Sequence, residues 1–119
     1  MMLKRTSVDK SALRVVIVTL DNHLSGAIGR VRDNLTREIP GLNLSIHAAA
    51  SWAAQPDQLS ECIKDIETGD IIIANMIFLD EHVRLVGPWL EARREHCDAI
   101  IACMSAAEIV KMTRLGGFD

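Results

Sequence analysis

The sequence predicts an α/β domain built on a short parallel sheet. Three observations predict it: four aliphatic runs of strand length, stretches with helical spacing between them, and Pro or Gly punctuation at the junctions. Strict strand–helix alternation implies right-handed crossovers and parallel strands.

Residues 13–20 (LRVVIVTL) form a β-branched run that ends at Asp21-Asn22, the pattern of a buried strand followed by a turn. Leu24, Ile28, Val31 and Leu35 then recur at helical spacing, with Arg30, Arg32, Asp33 and Arg37 on the other side. Pro40-Gly41 stops that helix. Leu42, Leu44, Ile46 and Ala48 alternate with Asn43, Ser45 and His47, which predicts a strand with one wet face. Pro56 suits the first position of a second helix, whose buried stripe is Leu59, Ile63 and Ile66, with Cys62 beside it. Gly69 closes that helix.

Residues 70–78 (DIIIANMIF) are the most apolar run and predict a central strand. A third helix carries Val83, Val86 and Leu90, and Pro88 is expected to kink or split it. Residues 98–104 (DAIIACM) predict a fourth strand. Ser105 and Glu108 have the spacing of a capping box at the head of a fourth helix, which Gly116-Gly117 ends. The half-wet second strand belongs at an edge, so the expected architecture is a three-layer Rossmann/flavodoxin-like parallel sheet of order 2-1-3-4. The fourth strand lacks the charges or proline of a protected edge. Further chain is therefore expected to pair with it or cover it, or else the chain self-associates near Ile109, Met112 and Leu115.

Length and composition bound the function. At 119 residues there is room for one domain, and 49% apolar residues suffice for a core. Aromatics are only 3%, so Ile, Val, Leu, Ala and Met must fill it. A net charge of −3 and a pI near 5.8 speak against nucleic acid, which calls for a basic face. No apolar run is long enough to span a bilayer and no signal peptide is evident. Three cysteines without paired spacing fit a reducing, cytoplasmic setting. Residues 1–12, with Lys4, Arg5 and Lys10, read as a flexible solvated tail, and 13–119 as one domain. Ending one helix after a strand, the chain reads as the N-terminal part of something larger.

Ligands of such sheets bind beyond the carboxyl ends of the strands. That edge collects His23, Ser51, Trp52, Asn75, Met76, His82, Cys103, Met104 and Ser105. The crevice expected from His23, Asn75, His82 and Met104 is the candidate ligand site. His23 can ligate a metal or the central ion of a macrocycle, or simply bond within its loop. Asp80-Glu81-His82 can hold a cation, or Asp80 can cap a helix whose dipole favours Glu81. Cys103 reads as a small core residue, and His47 and His96 as surface residues. Trp52 and Trp89 can pack on a flat ring or anchor two elements. No phosphate loop, dinucleotide fingerprint or nucleophile elbow is present, and Asn75 stands where a phosphorelay receiver needs Asp. No residue is assigned a catalytic or metal-binding role.

Four blocks carry a resemblance: VVIVTLDNHLSG (15–26), DIIIANMIFLDEH (70–82), LEARREHCDA (90–99) and CMSAAEIVKMTRLGGF (103–118). Together they resemble the N-terminal domain of the large H subunit of magnesium chelatase, within the cobaltochelatase large-subunit superfamily. The resemblance implies a role in chlorophyll or bacteriochlorophyll synthesis. There the large polypeptide binds protoporphyrin IX, and Mg2+ is inserted while AAA+ partners, working with an integrin-like component, hydrolyse ATP. The body expected to insert the metal is not in this chain, so no chelatase activity is expected of it alone. An alternative is a cobalamin- or other tetrapyrrole-binding module. Residues 21–26 satisfy D-x-H-x-x-G, but Asn75-Met76-Ile77 and Ala106-Ala107 depart from the rest of that signature. A further alternative is a docking domain without a ligand.

Overall fold

The computed structural model describes residues 13–20 and 25–115, and the side chains of 13–20 and 30–115. The segment 1–12, expected as a tail, lies outside them. The elements are β1 (Leu13–Thr19), α1 (Ser25–Glu38), β2 (Leu42–Ala48), a 3-10 turn (Ala49–Ser51), α2 (Pro56–Thr68), β3 (Ile71–Asn75), α3 (Asp80–Arg93), β4 (Ala99–Cys103), α4 (Ala107–Val110) and β5 (Arg114–Leu115). The sheet order is β2-β1-β3-β4-β5, parallel through β4, with β5 antiparallel to it. The predicted order 2-1-3-4 and the edge place of β2 are therefore observed.

Right-handed crossovers put α1 on one face of the sheet and α2 and α3 on the other. On the latter, helical face, α2 packs on α3 and α3 on α4. Alternate strand residues Val16, Val18, Ile72, Ala74, Ile100 and Ala102 point there and are buried with Cys62, Ile66, Val86, Leu90 and Ile109. Ile66, Ile72, Leu90, Ile100 and Ile109 are each fully buried. Burying such a side chain contributes about 1.5–3 kcal/mol.

Asp70 ties the amino ends of three strands together. Its carboxylate accepts the Arg14 N–H at 2.8 Å, its own N–H donates to the Arg14 carbonyl at 2.8 Å, and its carbonyl accepts the Asp98 N–H at 2.8 Å. Just before it, the Gly69 carbonyl accepts Arg93 Nε and Nη2 at 3.1 and 3.0 Å.

Several expectations are corrected. β3 and β4 are shorter than the apolar runs, because Met76 (φ 63°) and Met104 (φ 47°) turn the chain out of extended conformation. Ser105 does not cap the fourth helix. Its hydroxyl accepts the Ile77 N–H at 3.0 Å, and Ala106 holds the cap position without a side-chain bond. The fourth helix is a single turn, after which the chain returns as β5 and pairs with Ala99 and Ile100. Thr113 Oγ1 continues that pairing by accepting the Ala102 N–H at 3.0 Å. The outer edge of β4 is thus closed from within the chain. Ile109 and Met112, expected to be uncovered, are buried. Pro88 lies inside α3 without dividing it. Val31, expected on the apolar side of α1, is half exposed. Gly116-Gly117 lies outside the described residues.

Candidate functional site

β1 delivers the chain to the carboxyl edge at Leu20, whose carbonyl accepts the Ala50 N–H at 2.7 Å. That bond holds the 3-10 turn against the sheet and swings Trp52 inward, where it is 4% exposed. Pro56 then starts α2, its fixed φ and missing N–H both suited to a first turn. Across from it α3 starts at Asp80, and His82 turns inward from its first turn, 6% exposed. The two rings meet edge to face, with centroids 5.8 Å apart and planes at 79°.

Between the heads of α2 and α3 lies a crevice of about 330 Å3, lined by Leu20, Trp52, Leu79, Glu81, His82 and Leu85 among others. Its walls are mostly aliphatic. His82 is one of the lining residues, and its Nδ1 is buried without a hydrogen-bond partner. An orphaned buried polar atom costs about 1–3 kcal/mol, so it marks a site more strongly than the aliphatic walls do. The arrangement can take the edge of a flat apolar body.

A larger hollow of about 650 Å3 flanks β2, lined by residues such as Arg32, His47, Ser51 and Gln58. Several of its polar groups already have partners. His47 Nε2 lies 2.7 Å from Asp65 Oδ2, and Ser51 Oγ lies 2.8 Å from the Ala48 carbonyl and 2.6 Å from Gln58 Oε1. The crevice at Trp52 and His82 is the better candidate.

The predicted site residues fall in two places. His82 lines the crevice, while Asn75 and Met104 do not. Asn75 pairs in register with Cys103, whose thiol lies 3.5 Å from Asn75 Oδ1, and Met104 beyond it is 73% exposed. His23, with Asp21, Asn22 and Leu24 of the D-x-H-x-x-G motif, lies outside the described residues, while Ser25 and Gly26 begin α1. Asp80 is the first residue of α3 and not its cap, which is Leu79. Its exposed carboxylate stands 3.8 Å from Arg84, and no cluster of three or more His, Cys, Asp or Glu fit for a metal occurs among the described residues.

His47 is not the surface residue expected. Its side chain is only 13% exposed, because sheet alternation places it on the face that α2 crosses, against Asp65. His96 is exposed, as expected. Trp89 is 39% exposed, whereas Trp52 is an anchor. Cys103 is exposed rather than a core residue. Burial, with Asp65 nearby, pushes the Cys62 thiol up to about 12, and burial also raises Cys97. Neither is a poised nucleophile. Sequence reasoning placed His82 at this edge but missed its pairing with Trp52, a contact across 30 residues that no local pattern announces.

The described residues form a doubly wound α/β domain with a small, mostly apolar crevice at its carboxyl edge. The chain belongs to the family described as a domain of unknown function (DUF3479), whose model matches residues 14–119. That family is the N-terminal domain of the magnesium-chelatase H subunit. The chain is 44% identical over 105 residues to the magnesium-chelatase H subunit of Cereibacter sphaeroides, an overlap of 88% of this chain and 9% of the relative. It is 34% identical over 105 residues to the magnesium-chelatase H subunit of Rhodobacter capsulatus, with the same coverage. The chain thus spans about a tenth of the length of the curated relatives it matches. No helix among the described residues is long and apolar enough to cross a membrane.

Proposed function

We propose that this chain serves as the N-terminal domain of the porphyrin-binding subunit of a magnesium chelatase in the cytoplasm. The observation that carries the reading is 44% identity sustained over 105 residues of a relative of that name. In the complete enzyme Mg2+ and protoporphyrin IX are substrates. ATP is hydrolysed on AAA+ partner subunits, which work with an integrin-like subunit. This domain supplies none of that chemistry itself.

Its contribution at the carboxyl edge is contact with tetrapyrrole. A crevice of about 330 Å3 sits at the low end of ligand pockets, which run roughly 300–1,000 Å3. It therefore takes one edge of a macrocycle, not the whole ring. Trp52 offers an apolar wall, with the ring of His82 edge-on to it. Asn75 and Met104, which lie outside the crevice at the same sheet edge, and His23, which follows β1 in sequence, are the remaining contact residues of this proposal.

Two measurements test it. A chimera in which this chain replaces the aligned residues of the Cereibacter sphaeroides protein should insert Mg2+ into protoporphyrin when combined with the partner subunits and ATP. A folded but inactive chimera overturns the assignment. The 119-residue chain alone should form no magnesium porphyrin. Titration of protoporphyrin absorbance, on the wild type and on His82→Ala, reads the contact. Identical curves for both variants would remove His82 from it.

A further inference from the structure

Strands of a parallel sheet are normally covered on both faces. Among the described residues the helical face is covered across β1, β3 and β4, whereas the opposite face is covered only in part. On that face α1 lies against β2. Its Val31 is 50% exposed and its Leu35 only half-buried, so the described side chains of α1 do not reach far across the sheet. Beyond them two registered rows run outward: Ile17, Ile73 and Ile101, and Val15, Ile71 and Ala99, the last continued by Leu115 of β5. One residue decides the contrast within β4. Ile100 is fully buried on the helical face, whereas Ile101 is 38% exposed on the other. Leu115 is 46% exposed. No charged residue lies on this face of β3, β4 or β5.

The shape of the open face fixes what fits it. β5 and the Thr113 hydroxyl occupy the outer edge of β4 from Ala99 to Ala102, so strand addition there is blocked. The face remains. Three strands spaced about 4.8 Å apart span roughly 10 Å, the diameter of one α-helix. An uncharged aliphatic strip of that width calls for a helix with an apolar stripe and a polar back. The matched relatives carry about ten times more chain than this domain.

We propose that, in the complete subunit, one amphipathic helix from the rest of that polypeptide packs on the face formed by Ile71, Ile73, Ile101 and Leu115. This rests on the assignment of the chain to the porphyrin-binding subunit of a magnesium chelatase. A second copy of the chain and bare solvent are the competing occupants.

The test uses Ile101→Cys in a Cys103→Ser background, in the 119-residue chain and in the active chimera. Ser60→Cys, on the exposed side of α2, serves as control. Maleimide should modify the thiol introduced at position 101 about tenfold or more slowly in the chimera than in the dilute chain, as for a site that must first open locally. The control should react equally in both. A benzophenone carried on that same thiol should cross-link to a helical peptide of the same polypeptide outside this domain. Equal rates in the two proteins overturn the proposal, as does a cross-link to a second copy. Slow labelling in the dilute chain also overturns it, since the face would then be covered already. Chelatase activity of the chimera is read separately: an active chimera with an unprotected thiol sinks the covering helix alone, and an inactive one with a protected thiol sinks the functional assignment alone.

Discussion

The imidazole of His82 stands edge-on to the indole of Trp52, with ring centroids 5.8 Å apart, and keeps its Nδ1 buried without a partner. An edge-to-face pair contributes about 0.5–1.5 kcal/mol beyond area burial. The orphaned nitrogen costs about as much or more. His82→Phe keeps the ring pair, loses the orphan, and has the adjoining crevice to expand into. Urea melts should show it as stable as the wild type or more so. Trp52→Ala, which empties a buried site, should lose about 3–5 kcal/mol. A large loss for His82→Phe would mean that Nδ1 has a partner in the folded protein.

Ser105 and Ile77 are 28 residues apart, yet the hydroxyl of one takes the N–H of the other at 3.0 Å. Ile77 is fully buried, so Ser105→Ala leaves a donor with nothing to bond. The expected loss is about 1–3 kcal/mol. Glu108→Ala should stay within about 0.5 kcal/mol, since the capping box that would employ Glu108 is not formed. Equal losses for the two variants in chemical denaturation would restore the capping box.

Gly69 closes α2 at φ −71°, a conformation open to any residue, so its need is for space. A Cβ there would stand 2.9 Å from Val16 Cγ2 and 3.1 Å from the Asp65 carbonyl. Backbone cannot give way as a flexible side chain can, and the Gly69 carbonyl is also held by Arg93. Gly69→Ala should therefore cost about 1–3 kcal/mol by overpacking, where the same change in an exposed loop stabilises. Thermal unfolding of the pair of proteins decides the sign.

The strands and their order were legible because each rests on local pattern. Residues 15–18 and 71–74 are continuous aliphatic runs, and the alternation around Asn43 marks an edge. What was not legible turns on contacts distant in sequence. Ser105-Ala-Ala-Glu108 reads as a cap locally, but the Ile77 N–H competes for the hydroxyl and wins. Met76 and Met104 enter the left-handed region without a glycine to announce it. Two-residue β5 carries no periodicity at all, and only its pairing with Ala99 and Ile100 makes it a strand. At the site, His82 was legible by its place after β3, whereas its partner Trp52 follows β2 and comes near only when α2 packs on α3.

Cys62 couples stability to alkaline pH. In the unfolded chain a thiol ionises near its ordinary value of 9.0, while burial against Ile66 and its neighbours, with Asp65 close by, pushes Cys62 up to about 12. Below pH 9 both states hold the proton and the folded state keeps its full stability. Between about 9 and 12 the unfolded chain alone releases it, so stability falls with rising pH, by up to about 1.4 kcal/mol per unit. Cys97 is raised as well and adds to the fall in the same direction. Cys62→Ala should start from a lower plateau at pH 8, because it leaves a cavity, but lose less between pH 9 and 11. In urea titrations across that range the two curves should converge. Under native conditions at pH 8, maleimide should modify exposed Cys103 and spare Cys62 until the protein unfolds. Parallel pH curves, or prompt labelling of Cys62, would show that the thiol is reached by water without unfolding.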